Sequence, residues 1–381
     1  MGREHLTGWK ALREQPWLLA VVVWLPPVLF VLLISIFRIG TPQSLPVGVV
    51  NLDHSHESYT VERQLDASPG LSLLRSYTSA SAGADALQRS EILALVIIPE
   101  NFGRDLRLSI SPTVTAFYNN QYLLSGKFIN SSLISASMDL AARTGVGLKI
   151  SHGQTAPEAI TSAVPVRPQV TSLYNPNMSY ARFLVTSISP ALWQIIIVIS
   201  TVLTLSWRLE KQAIPAPLIE RSKAITAALA PVSLLLWLQG LLMLVLFRLF
   251  LGWQPSGNIV WLLLGLALTI FSVQAMAVLI VALVRDRVKA MSVSAAYLAP
   301  AFAFMGITFP RGDMNVIAWA WGGLMPSTHY IKLQVDIADH GASLPLIVSS
   351  LIALLLFLLV LPIALKLLPA RLDPKLAEQV S

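Results

Sequence analysis

Residues 259–284 read IVWLLLGLALTIFSVQAMAVLIVALV, and residues 285–289 read RDRVK. The first segment carries no charge. As a helix it would be about 39 Å long, more than the ~30 Å hydrocarbon core of a bilayer. The basic cluster that closes it has the composition of a cytoplasmic helix end. The segment therefore reads as a transmembrane helix that finishes on the inner side.

Working outward, five further charge-free runs meet the same length requirement: 17–37, 183–207, 224–247, 290–310 and 344–365. A turn cluster, Gly252 to Asn258, separates the run ending at 247 from the one beginning at 259. The first run, Trp17 to Phe37, is longer than the apolar core of a signal peptide, and no small-x-small site follows it. It reads as a retained helix. A further apolar stretch, Met314 to Ile331, is interrupted by Gly322, Gly323 and Pro326. It fits a re-entrant or interfacial helical hairpin, which protein or a water-filled cavity must cover.

Composition agrees. Of 381 residues, 55% are hydrophobic and 12% charged, about half the charge of a soluble domain, and mean hydropathy is +0.66. The net charge of +7 comes from basic residues at the ends of apolar segments, so it reports topology rather than nucleic-acid binding. The chain has no cysteine, which excludes disulfides, thiolate metal sites and cysteine nucleophiles.

With the N-terminus inside, thirteen Lys and Arg fall in inner segments, among them Lys10, Arg13, Arg208, Lys211, Arg285 and Lys366. The short outer segments hold only Arg311 and Lys332, with Arg248 near an outer helix end. Both termini are thus expected in the cytoplasm and residues 39–182 in the periplasm. The expected organisation is residues 1–38 with the first helix, 39–182 as the outer domain, and 183–381 as a five-helix membrane domain with the hairpin and a cytoplasmic tail. In fold class this is an α-helical integral membrane protein: six transmembrane helices, a re-entrant hairpin and an inserted α/β periplasmic domain.

Within 39–182 the spacing predicts strands at Leu45–Leu52, Leu71–Tyr77, Leu93–Ile98 and Thr113–Tyr118. Helices are expected at Ser58–Leu65, Ala82–Arg89 and Gln121–Leu148, and a loop at Ser151–Tyr174. Asp53-His54-Ser55-His56-Glu57 gathers metal-ligand residue types, but between a strand and a helix its better reading is a turn and helix cap. Asn119-Asn120-Gln121, flanked by Tyr118 and Tyr122, reads chiefly as another cap, with a substrate- or adaptor-facing site as the alternative. No GxxxxGK[ST] phosphate loop occurs, so ATP is not expected to bind this chain. Ionisable residues are nearly absent from the membrane runs, which disfavours an ion-driven carrier. The polar Gln194, Gln239 and Gln274 read chiefly as interhelical hydrogen bonders.

Several stretches in order carry a resemblance: Leu45-Pro46-Val47-Gly48-Val49-Val50-Asn51-Leu52-Asp53-His54-Ser55, then Leu65-Asp66-Ala67-Ser68-Pro69, Ile97-Ile98-Pro99-Glu100-Asn101-Phe102 and Tyr118-Asn119-Asn120-Gln121-Tyr122. Tyr174-Asn175-Pro176 with Arg182-Phe183-Leu184-Val185, Gly306-Ile307-Thr308-Phe309-Pro310, and Met325-Pro326-Ser327-Thr328-His329-Tyr330 continue it. Together they resemble ABC-2 type bacterial exporter permeases over nearly the whole chain.

The resemblance implies a permease subunit in the bacterial inner membrane with no chemistry of its own. It implies a homodimer, or a heterodimer with a paralogous permease. A cytoplasmic ABC ATPase would carry ATP and Mg, and a periplasmic adaptor is a further possible partner; no nucleic acid is expected. Substrates of such permeases are mostly hydrophobic or amphipathic. The ATPase-coupling candidates are Arg208, Glu210, Lys211, Glu220, Arg221, Arg285, Asp286 and Arg287. The substrate-path or adaptor candidates are Tyr118, Asn119, Asn120, Gln121, Tyr122, Tyr174, Asn175, Gln194, Phe309, Pro310, His329 and Tyr330. One departure is plain: the loop Arg208–Arg221 lacks the family's Gly-Thr-Glu and holds Pro215 and Pro217. The alternative reading is a non-transporting receptor or scaffold that docks envelope proteins through residues 39–182.

Overall fold

A computed structural model describes residues 7–37, 45–68, 70–108, 110, 112–119, 123–151, 153–163, 179, 181–306 and 309–370. The chain divides into two compact units, Met1–Gly40 with Ser179–Ser381, and Thr41–Met178.

The first unit is helical. It contains α1 (Gly8–Glu14), α2 (Pro16–Leu19), a π turn (Ala20–Trp24) and α3 (Leu25–Phe37). The second unit runs β1 (Leu45–Asn51), α4 (His56–Asp66), β2 (Leu71–Tyr77), α5 (Ala80–Gln88), β3 (Ala94–Ile98), α6 (Phe102–Arg107), β4 (Thr115–Tyr118), α7 (Leu123–Ser151) and α8 (Ala156–Ala163). The first unit then resumes with a π turn (Ala181–Val185), α9 (Thr186–Lys211), α10 (Leu218–Leu251), α11 (Ile259–Val284), α12 (Arg287–Leu298) and α13 (Ala301–Phe304). It ends with a 3₁₀ turn (Arg311–Asp313), α14 (Val316–Gly323), α15 (Pro326–Ala338), α16 (Leu344–Leu358) and α17 (Val360–Leu367).

Among the described residues five helical stretches are long and apolar enough to cross a membrane: Pro16–Phe37, Ala181–Lys211, Leu218–Leu251, Ile259–Val284 and Leu344–Leu367. The protein is a multi-pass helical membrane protein. The spans differ in how they are packed. The most apolar windows of the second and fourth spans are 72% and 61% buried, while those of the first and last are only 22% buried. The second and fourth spans therefore form the middle of the unit. The first and last present apolar side chains outward, where lipid replaces protein as the apolar partner.

The expected sixth span, 290–310, is not one continuous helix. It starts three residues early, at Arg287, and breaks into α12 and the four-residue α13. Pro300, lacking an N–H, sits at the break, and Gly306, with φ +88°, lies just beyond α13. The stretch 314–331 forms two short helices, α14 and α15, and the second runs on to Ala338.

The second unit is α/β. Its sheet order is β2-β1-β3-β4. β1 pairs in parallel with β2 and with β3, and β4 closes one edge antiparallel to β3. A central parallel strand needs apolar side chains on both faces, and Leu45-Pro46-Val47-Gly48-Val49-Val50 supplies them. Val47 and Val49 pack with Val61 and Leu65 of α4 and Ile129 and Leu133 of α7. Val50, pointing the other way, packs with Ala86 of α5, Ile92 and Leu95. The helix α6 and the N-terminal α1 were not anticipated, and α8 occupies part of the stretch read as loop; 164–178 lie outside the described residues.

Asp53 to Glu57 behave as a turn and cap. Ser55 Oγ accepts from Ser58 N at 3.1 Å, and Asn51 Oδ1 accepts from the N–H groups of Asp53 and His54. Asp53 Oδ2 accepts from Gly103 N at 3.0 Å, and Glu57 pairs with Arg107 at 2.6 Å. No group of three metal-ligand side chains occurs among the described residues.

Candidate functional site

A polar side chain inside an apolar helix must find a partner within the protein, because lipid offers none. Where those partners lie fixes how the helices of the first unit are set against one another. Gln194 Oε1, on α9, accepts from Ser327 N at 2.8 Å. Gln334 Nε2 donates to Thr186 O at 2.9 Å. Arg182 Nη2 donates to Asp339 Oδ1 at 3.2 Å. As α9 numbers rise, α15 numbers fall, so the two helices run antiparallel. Gln194 is ~18 Å along the helix from Arg182. The N-terminus of α15 is therefore buried part-way down α9, while its C-terminus lies at the Arg182 end.

The preceding helix turns back at the same depth. Tyr297 Oη, on α12, donates to Leu324 O at 2.5 Å, and Trp321 Nε1 donates to Tyr297 O at 3.2 Å. Arg311 holds the top of this hairpin: its Nη2 donates to Trp319 O at 2.9 Å and its Nη1 to Phe304 O at 3.3 Å. Its guanidinium also lies 5.5 Å from the Trp319 ring centre. A Cβ at Gly322 would lie 2.2 Å from Phe304 O, so the hairpin closes only because that position has no side chain.

The candidates expected along a substrate path are placed differently from one another. Gln194 and Tyr330 are fully buried, and the Tyr330 ring packs 6.3 Å from that of Trp193. His329 Nε2 donates to Gly323 O at 2.9 Å, and its ring lies 5.8 Å from Phe357. Phe309 and Pro310 are exposed. In the other unit Tyr118 is exposed at the end of β4, and Asn119 N bonds Leu93 O. Asn120, Gln121, Tyr122, Tyr174 and Asn175 lie outside the described residues.

The coupling candidates gather at the opposite end of α9, but not on one large loop. Helix α9 continues through Lys211 and α10 begins at Leu218, leaving a link of only six residues, 212–217. The sequence Arg-Leu-Glu-Lys at 208–211 has high helix propensity and extends the span. Arg208 is buried and its Nη1 donates to Gln212 O. Lys211 pairs with Glu14 of α1 and lies 5.4 Å over the Trp207 ring. The Lys211 hydrogen bond lowers the pKa of the Glu14 carboxyl below its usual value. Glu210 lies 4.0 Å from Arg287, and Glu220 pairs with Lys223 at 2.9 Å. Arg285 takes a left-handed φ of 58° as the C-cap of α11, and Asp286 caps α12 by accepting from Lys289 N at 2.7 Å.

Arg221 has a defined structural task. Its Nη1 donates to Leu365 O at 2.8 Å and Leu368 O at 2.9 Å, and its Nε to Pro215 O at 3.1 Å. It therefore satisfies carbonyls left over at the end of α17. Sequence reading missed Glu14 and Trp193 as partners in these contacts. Each sits beside a flagged residue or at a run boundary, but its partner is remote in sequence.

A cavity of about 540 Å³ lies between α9 and the α12–α13 segment. Ile188, Leu192, Ile195, Met291, Leu298 and Phe302 are among its mostly apolar lining, and Ser294 is its polar member.

No curated protein matches this sequence significantly. A family model described as ABC-2 family transporter protein matches residues 16–366, nearly the full chain. The chain belongs to the ABC-2 family of transporter proteins.

Proposed function

We propose that this chain is the permease subunit of an ATP-driven exporter, moving a hydrophobic or amphipathic substrate out of the inner membrane. The observation that carries the proposal is the family match over residues 16–366. The geometry supports it in three ways. The apolar cavity between α9 and α12 offers a place for an apolar body. The hairpin of α14 and α15 ends at buried depth, consistent with a re-entrant element. The charged residues that join α1, α9 and α12 lie together at one end of the bundle, which we assign to the cytoplasm.

In this reading ATP and Mg bind a separate ATPase, which acts on that charged end. Two permease chains pair, with residues 39–182 in the periplasm, available to an adaptor. The chain itself performs no hydrolysis, since it lacks a phosphate-binding loop.

Transport by the chain reconstituted with its ATPase tests the coupling step. Glu210 faces Arg287 across two elements, whereas Glu220 pairs only along its own helix. Glu210→Ala is expected to lower ATP-driven transport about tenfold with insertion and pairing intact, a loss of ~1.4 kcal/mol in coupling. Glu220→Ala is expected to lower it less than threefold. Acidic residues contribute little to topology, so an anchoring role predicts that both changes are silent. Normal transport by both variants would remove this end of α9 as the energy input.

A further inference from the structure

The N-terminus of α15 is a buried positive pole, and the side chains around it are left with unused donors. Pro326 has no N–H, Ser327 N is taken by Gln194 Oε1, and Thr328 N bonds Met325 O. The backbone donors at this end are therefore largely occupied. The side chains are not. Gln194 is 1% exposed, and its Nε2 has no hydrogen-bond partner among the described residues. Thr328, in the first turn, is 4% exposed, and its Oγ1 also has none. Ser327 Oγ reaches only the sulfur of Met305, at 3.9 Å.

The arrangement has one sense. Gln194 spends its carbonyl on the helix N–H, which leaves its NH₂ as the group facing outward from that contact. The amide thus passes the positive end of the helix on to its own two donors. Burying such donors unpaired costs free energy, and an electron-rich oxygen beside them would recover it. Helix N-termini favour anions, and broken helices use this at membrane depth to hold anionic groups of a substrate. Arg311 adds a guanidinium to the same hairpin, bonded to carbonyls and paired with no carboxylate among the described residues.

We propose that Gln194 and Thr328, at the N-terminus of α15, bind a phosphate-like or carboxylate oxygen: the anionic head of an amphipathic substrate or a free anion. The inference rests on the transporter reading only for the word substrate. Its test uses the isolated full chain, so a failure of anion binding and a failure of ATP-driven transport are separate results.

The purified chain is melted in neutral maltoside micelles. It receives dodecyl phosphate at low mole fraction, dodecyltrimethylammonium at the same fraction, or inorganic phosphate. Dodecyl phosphate is expected to raise the midpoint by ~3 °C, and the ammonium amphiphile to leave it unchanged. Thr328→Val keeps the shape of the side chain and removes the unpaired hydroxyl. Gln194→Glu keeps an acceptor for Ser327 N and replaces the free NH₂ with oxygen. Each variant should melt without ligand within ~2 °C of the parent and lose most of the dodecyl phosphate shift. If inorganic phosphate gives the same shift, the site takes a free anion; if only the amphiphile does, it takes a head group. Both results support the site. A shift that survives in both variants would place binding on surface basic residues. No shift with either anion would mean that the donors meet water alone. Either result overturns the proposal, and if Gln194→Glu fails to fold, Thr328→Val decides.

Discussion

Gly322→Ala is expected to cost about 2 kcal/mol of stability, the range seen when an extra methyl is forced into a closed packing site. The added Cβ would stand 2.2 Å from Phe304 O and 2.6 Å from Arg311 Nη1. The first neighbour is backbone and cannot step aside without moving the end of α13. The second is the guanidinium that ties Trp319 and Phe304 together. Relief of either clash opens the hairpin. Gly312, ten residues earlier, has nothing within 4 Å of the same added atom. Gly312→Ala should therefore be silent. Unfolding of the two variants in mixed micelles of rising dodecyl sulfate content separates them. Equal midpoints for both would mean that the hairpin is not closed around Gly322.

Arg221→Met should be nearly as costly, at about 2 kcal/mol, because hydrogen bonds to charged donors contribute about 1.5–3 kcal/mol each and this side chain is only half-buried. The methionine keeps much of the apolar stem and removes all three donations to Leu365, Leu368 and Pro215. The loss is local. The end of α17 should fray, and limited proteolysis near Leu368 should quicken before the bundle unfolds. Arg221→Lys would not restore it, since one ammonium cannot reproduce the fork that reaches two carbonyls of α17 and one of the 212–217 link. Protection equal to the parent in both variants would show that α17 does not depend on this cap.

The sequence and the structure agree where one physical requirement dominates. The run 259–284 coincides with α11, because twenty-six uncharged, mostly apolar residues between Asn258 and the Arg285 cap leave no other outcome. The strands of the second unit are legible for the same reason. Leu71–Tyr77 is observed as read, and Leu45–Leu52 and Leu93–Ile98 each differ by one residue at an end.

The differences arise where two requirements compete. At 290–310 the apolar run favours one helix, while Pro300 and Gly306 break it, and length alone did not reveal which would win. At 208–221 the sequence reads as a loop holding Pro215 and Pro217, but the helix-forming residues before them and Leu218 after them reduce it to six residues. The helix α6 is too short for its period to register against Gly103.

The candidate site was legible as residue types and not as pairs. Gln194 stood out as a polar residue in an apolar run, yet nothing local indicates that its partner is Ser327, 133 positions away. Arg221 was flagged for its charge and proves to be a helix cap. Lys211 was flagged without Glu14, which lies 197 positions earlier in the sequence. Hydrophobic periodicity reports burial; it does not report which buried groups meet.

The central claim is that this chain supplies the membrane path and another chain supplies the energy. Purification of the full-length chain from its native membrane in mild detergent, followed by assay of ATP hydrolysis, tests it most directly. The account predicts that ATPase activity travels with the chain and is lost when the associated subunit is stripped away, leaving the chain folded and inactive toward ATP. Recovery of envelope proteins without any ATPase, or hydrolysis that persists in the stripped chain, would contradict it.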